Sequence, residues 1–117
     1  MREFKKMDVW QKSRRLTVAI YALTDTFPSK ERFRLTDQLC RAVVSIAANI
    51  AEGASRRSQT DFYRFLEIAL GSANEVECHL IIAHDLGYVD EPLFISLNND
   101  VNHTRATLLN YMKSVRS

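Results

Sequence analysis

The sequence predicts an all-α fold, an antiparallel up-down-up-down four-helix bundle, on three observations. Apolar residues recur at alternating spacings of three and four along most of the 117 residues, which is the period of a one-sided helix and not of a strand. The three glycines and two prolines mostly fall between these periodic runs, where turns belong. The runs are separated by short intervals, and short connections join antiparallel neighbours. A chain of this length is expected to form a single domain, residues 1–117, burying roughly two-thirds of its unfolded surface.

The first helix is expected from a cap at Asp8 to about Thr26, with Leu16, Ile20, Leu23 and Phe27 turned inward and Pro28 beyond its end. The second runs from about Thr36 to Glu52 on Leu39, Val43, Ile46 and Ile50, and Gly53 is expected to stop it. The third has Ser58 as its N-cap and Asp61 at the third helical position, a shorter relative of the Ser-x-x-Glu capping box. Its inner positions are Phe62, Leu66, Ala69, Ala73, Val76, Leu80 and Ala83, and Gly87 ends it. The fourth opens between Asp90 and Pro92 and lines up Phe94, Leu97, Val101, Thr104, Leu108, Tyr111 and Val115. At 1.5 Å per residue the last two helices are about 40 Å long and the first two nearer 27 Å, so the longer pair overhangs the shorter.

Two surface patterns point to self-association. Gln38, Arg41, Ser45, Asn49 and Glu52 form one narrow polar line on a second helix that is otherwise apolar or alanine, and Tyr63, Leu70 and Ile81 form a second apolar row on the third. Arg41, Ser45, Asn49, Glu52, Tyr63, Leu70 and Ile81 are therefore the candidate oligomer-interface residues. Small residues, Ala47 and Ala51 on one helix and Gly71 and Ser72 on the other, suit close helix approach; Gly71 costs about 1 kcal/mol of helix propensity relative to alanine, which a tight contact would explain. The alternative is scattered surface apolars, which are common.

No catalytic constellation is visible. Carboxylate-bridged metal sites in bundles need inward glutamates with Glu-x-x-His motifs on two helices, and this sequence has none; His79, His84 and His103 read as surface or rim residues. There is no Gly-rich phosphate loop and no nucleophile elbow. Cys40 and Cys78 read as reduced, packed thiols. No catalytic residue, metal or cofactor is assigned, and the expectation is a non-enzyme. The charged N-terminus, MREFKKMDVWQKSRRL, is neither signal nor anchor, and no run approaches the ~20 apolar residues of a membrane span, so the expected setting is the cytoplasm, away from membranes.

Charge is uneven although the net value is only +2. Residues 1–34 carry nine basic and four acidic groups, residues 67–117 three basic and seven acidic. In the predicted topology the N-terminus, the loop between helices two and three, and the C-terminus share one end. That end collects Arg2 together with the candidate nucleic-acid-binding residues Lys5, Lys6, Lys12, Arg56, Arg57, Arg64, Lys113 and Arg116, against Glu3, Asp8, Glu52 and Asp61. Lys30, Arg32 and Arg34 at the other end are offset by Glu31, Asp85, Asp90 and Glu91. A basic end of this kind tracks RNA or DNA phosphates without reading bases; the competing reading is solvated helix ends whose cations satisfy terminal carbonyls.

The segments DVWQKSRRL, FPSKERFRLTDQLCRAVVSIAANIAEGASRRSQTDFYRFLEIALGSANEVE and LGYVD resemble the bacterial four-helix-bundle family encoded in intervening sequences of large-subunit ribosomal RNA genes. That family is related to the accessory variability determinant proteins of diversity-generating retroelements. NIAEG, residues 49–53, and FYRFLEIALGS, residues 62–72, carry the likeness, which runs from about Asp8 to Asp90. The resemblance implies a left-handed bundle assembled as a homopentameric ring. For the retroelement branch it further implies binding of nucleic acid and partnership with a reverse transcriptase.

Overall fold

The computed structural model describes residues 2–116, with the backbone alone for Arg116. Four helices, α1 (Asp8–Thr24), α2 (Leu35–Ala54), α3 (Gln59–Asp85) and α4 (Glu91–Arg116), are joined by short connections, and single 3-10 turns occupy Phe4–Lys6 and Ser29–Glu31. Each helix packs against the next, and α1 also packs against α4, with no diagonal pairs among the described residues. The four therefore stand at the corners of a square, as an up-down-up-down bundle requires. The longest dimension is 43 Å, close to the length of α3 and α4.

The predicted stripes meet in one core. Ile20 from α1, Leu39, Val43, Ile46 and Ile50 from α2, Phe62, Leu66, Val76 and Leu80 from α3, and Val101 and Leu108 from α4 have no accessible surface. Each such side chain contributes about 1.5–3 kcal/mol relative to exposure. Two buried hydroxyls are satisfied within their own helices: Ser13 donates to the Val9 carbonyl at 2.7 Å and Thr104 to that of Asp100 at 2.9 Å.

The helix ends differ in part from expectation. Asp8 is the first helical residue and not the cap; Met7 holds the cap position and is itself buried. α1 stops at Thr24, where Thr24 and Thr26 turn their hydroxyls back to the Tyr21 and Leu23 carbonyls at 3.1 and 2.7 Å. Ser58 caps α3 by accepting the Asp61 N–H at 3.0 Å. Gly87, with φ of 83°, closes α3 in a Schellman motif, its own N–H reaching the His84 carbonyl and that of Tyr88 the Ala83 carbonyl. Asp90 caps α4 by accepting the Leu93 N–H at 2.9 Å.

Gly53 does not stop α2. The helix continues through it to Ala54, and Gly53 is buried with an ordinary helical backbone. A Cβ placed there would lie 2.7 Å from Phe65 Cβ and 3.1 Å from Phe62 Cδ1. The residue is glycine because the last turn of α2 lies directly against the first turns of α3.

At the far end, Glu31 is buried at 8% exposure. Its carboxylate accepts the Tyr88 hydroxyl at 2.9 Å and faces the Leu35 N–H at 3.4 Å, fastening the α1–α2 connection to the α3–α4 turn beside the Phe27–Tyr88 ring contact. The hydrogen bond to Glu31 raises the Tyr88 pKa above the ordinary 10.0, because the carboxylate binds the neutral phenol and repels the phenolate. This contribution to stability is fully present below pH 10.0 and is lost as pH rises through the raised folded value. Glu31→Gln is expected to move the Tyr88 titration down toward the ordinary value. Alkaline ultraviolet titration, with Tyr88→Phe to assign the signal, tests this; an unchanged titration would contradict it.

Candidate nucleic-acid interface

The N-terminus, the α2–α3 connection and the end of α4 do share one end of the bundle. The Arg2 guanidinium donates to the Arg56 carbonyl at 3.0 Å and to the Gln59 side chain, and lies 4.0 Å above the Phe62 ring. Arg2, Ser55, Arg56, Arg57 and Gln59 line a cleft of about 680 Å³. Beside it, Gln59, Thr60, Tyr63, Arg64, Glu67 and Val115 line a second of about 450 Å³ between α3 and the overhang of α4.

The candidate cations are in unequal states. Lys5, Arg57, Arg64 and Lys113 are exposed, and no ion pair joins them to a described residue. Lys6 pairs with Glu3, and Arg56 pairs with Glu52 while lying 4.7 Å from the Phe65 ring centroid; both ion pairs are 3.1 Å. Exposed pairs of this type are worth about 0–1 kcal/mol, so either cation can turn to a phosphate at small cost. Lys12 is farther from the end and less available. It bonds Asp8 at 2.6 Å, which holds the Asp8 carboxyl below the usual aspartate range, and it lines an α1–α4 groove with Arg15, Asp100 and His103. The side chain of Arg116 lies outside the described residues. Glu67, within the second cleft, joins Glu3, Asp8, Glu52 and Asp61 among the acidic groups of this end.

The oligomer-interface candidates do not form one free surface. Arg41 is exposed and holds Asp37 through two 3.1 Å contacts. Ser45 reaches α3, where Ser72 donates to its hydroxyl at 2.9 Å, and Asn49 folds back along α2, donating to the Ser45 carbonyl and hydroxyl at 2.8 and 2.9 Å. The polar line overlaps the outward stripe of α2, which is Gln38, Arg41, Val44, Ala48 and Glu52, at three of its five positions. On α3, Tyr63 and Leu70 are half-buried against the core, while Ile81 is 43% exposed.

The outward row of α3 is Ile68, Gly71, Glu75, Cys78 and Ile82, at spacings of three and four. Gly71 meets no atom within 4 Å of a built Cβ, so the tight contact expected of it does not occur within the chain. Cys78, expected to be packed, is exposed on this row; Cys40 is half-buried with its sulfur 3.4 Å from the Thr24 hydroxyl. His79 contacts Glu75 at 3.3 Å, and His84 contacts Glu91 at 2.9 Å while stacking on Phe94. His79 is more enclosed than a rim position, with a side chain only 13% exposed. Among the described residues no three His, Cys, Asp or Glu side chains gather as a metal site would require, and no helix is long and apolar enough to cross a membrane.

The family model of the 23S rRNA-intervening sequence protein matches residues 5–110. A solved structure from the S23 ribosomal protein family, a protein with unknown function from Bacteroides thetaiotaomicron VPI-5482, is similar at 32% identity and a TM-score of 0.84, over 90% of this chain and 95% of its own. Comparison with curated proteins finds no match.

Proposed function

Since the chain belongs to the 23S rRNA-intervening sequence protein family, we propose that it is a non-enzymatic, cytoplasmic, oligomeric bundle that binds RNA or DNA through its basic end. The observation that carries this is the gathering of Lys5, Arg57, Arg64 and Lys113, exposed and free of ion pairs with described residues, at one end, with Lys6 and Arg56 held only by surface pairs. Contacts of this type reach phosphates and carry no base information, so binding is sequence-tolerant. About four to six of them give a salt exponent of roughly −4 to −5 on duplex DNA. With a net charge of +2 per chain, repetition of the patch around an oligomer supplies the avidity a single copy lacks.

Titration of a structured RNA and a duplex DNA at low salt tests this reading. Salt-dependent binding, weakened several-fold or more in Arg56→Glu/Arg57→Glu, is expected. No binding by the wild type, or binding unchanged in the variant, sinks it.

A second reading, a self-assembling scaffold for a protein partner, is favoured by the outward row around Gly71 and by the exposure of Val18, Val44, Ile68 and Ile82. In this second reading the bundle has no direct nucleic-acid role; a ring of five copies is the assembly proposed under either reading, and a reverse transcriptase is the protein partner proposed under the first, with the bundle as its accessory factor. A clean monomer in light scattering at micromolar concentration would count against both the ring and the avidity argument.

A further inference from the structure

The segment Lys30-Glu31-Arg32-Phe33-Arg34, between α1 and α2, lies at the end opposite the basic clefts. In sequence its three cations are offset by one internal acid. In the structure Glu31 is withdrawn, buried beneath Tyr88 and the first turn of α2. Lys30, Arg32 and Arg34 remain exposed, and no ion pair joins them to a described residue. Between them Phe33 is 83% exposed, the most exposed large apolar side chain of the molecule's described residues, with the Arg32 guanidinium 5.3 Å from its ring centroid. The backbone beneath is a fixed platform, not a loose loop: the N–H groups of Glu31, Arg32 and Arg34 bond the carbonyls of Pro28, Ser29 and Glu31 at 2.9–3.1 Å.

We propose that this platform is a second nucleic-acid contact that takes an unpaired base, stacked on Phe33, of a single strand whose phosphates meet Lys30, Arg32 and Arg34. It rests on the preceding reading only for the class of ligand. An aromatic ring among cations is the arrangement that holds single strands, because every base has a face to stack and every nucleotide a phosphate. A base inside a duplex has both faces already covered, so the ring selects unpaired segments.

An anionic membrane fits the site less well. One ring gives little apolar area to insert, and Asp85, Asp90 and Glu91 on the neighbouring α3–α4 connection would face the same flat surface, whereas a strand can pass beside them. The two contacts flank the 20-residue helix α2, about 30 Å apart at 1.5 Å per residue, so one molecule holds a paired region at the cleft end and an unpaired one here.

The test compares oligouridine and duplex RNA by fluorescence anisotropy, with the wild type, Phe33→Ala, Phe33→Trp and Arg56→Glu/Arg57→Glu. Phe33 supports no core contact, and circular dichroism verifies folding of each variant. Phe33→Ala is expected to weaken oligouridine binding about tenfold and leave duplex affinity unchanged. Phe33→Trp should keep oligouridine affinity, with emission quenched by the strand beyond any response of Trp10 in the wild type, and the quench should persist when Arg56→Glu/Arg57→Glu is added. That persistence alongside lost duplex binding supports the site independently of the cleft; duplex binding unaffected by the double substitution sinks the cleft reading alone. The proposal is overturned by wild-type oligouridine affinity in Phe33→Ala, or by saturating oligouridine without quenching in Phe33→Trp. It is equally overturned if phosphatidylserine vesicles blue-shift that emission while oligouridine leaves it unchanged, or if Phe33→Ala dissociates an oligomer without altering oligouridine binding.

Discussion

Phe62→Ala is expected to lower the unfolding free energy by about 3–5 kcal/mol, measured by denaturant unfolding followed with circular dichroism. Phe62 has no accessible surface, meets Tyr111 edge-on at 5.9 Å between ring centroids, and lies under both Gly53 and the Arg2 guanidinium. Truncation opens a cavity where α2, α3 and α4 and the N-terminal segment converge. The core term dominates: the cation–π contact with Arg2 is worth about 0.5–1 kcal/mol at a partly exposed site. Arg2→Ala, which also removes the exposed hydrogen bonds to the Arg56 carbonyl and Gln59, should cost about 1–2 kcal/mol, and the two variants together should fall short of their sum by about the cation–π contribution. A loss below about 1 kcal/mol in Phe62→Ala would mean that this end of the core is not closed as described. The same variant should also loosen Arg2 from the clefts, linking core packing to the shape of the basic end.

The helices and their inward faces were legible because period and punctuation agreed: every inward position from Leu39 to Ile50 and from Phe62 to Ala83 is buried as the spacing requires. The gathering of cations at one end followed from topology alone. What escaped was side-chain direction within a face. Ser45 and Asn49 sit only a fraction of a turn from the outward stripe of α2; the hydroxyl of Ser72 on α3 engages Ser45, and Asn49 folds back onto Ser45, so both are half-buried. Glu31 reads as one charge among four, and only its approach to Tyr88 removes it from the surface. In both cases the deciding partner is distant in sequence, 27 residues for Ser45 and Ser72 and 57 for Glu31 and Tyr88. A periodicity cannot report such a partner.

The two helical glycines make the same point in energetic terms, and their alanine substitutions should move stability in opposite directions. Both lie within helices at positive-φ-free positions, so alanine gains about 1 kcal/mol of helix propensity at either site. At Gly53 the added methyl falls 2.7 Å from Phe65 Cβ, an atom fixed to the α3 backbone that cannot move without parting the two helices. Overpacking of this sort costs about 1–3 kcal/mol and occasionally more, so Gly53→Ala should end up to about 2 kcal/mol less stable, independently of protein concentration. At Gly71 the methyl enters open space, nothing offsets the gain, and the protomer should be stabilised by up to about 1 kcal/mol. Unfolding measured over a hundredfold range of protein concentration separates this from an effect on assembly. If copies meet closely along Ile68, Gly71 and Ile82, Gly71→Ala must weaken association even as it strengthens the single bundle. A variant with higher protomer stability and unimpaired oligomer mass would show that Gly71 is not at a contact between copies. Stabilisation by Gly53→Ala would contradict the close packing of α2 on α3 that explains why this position is glycine.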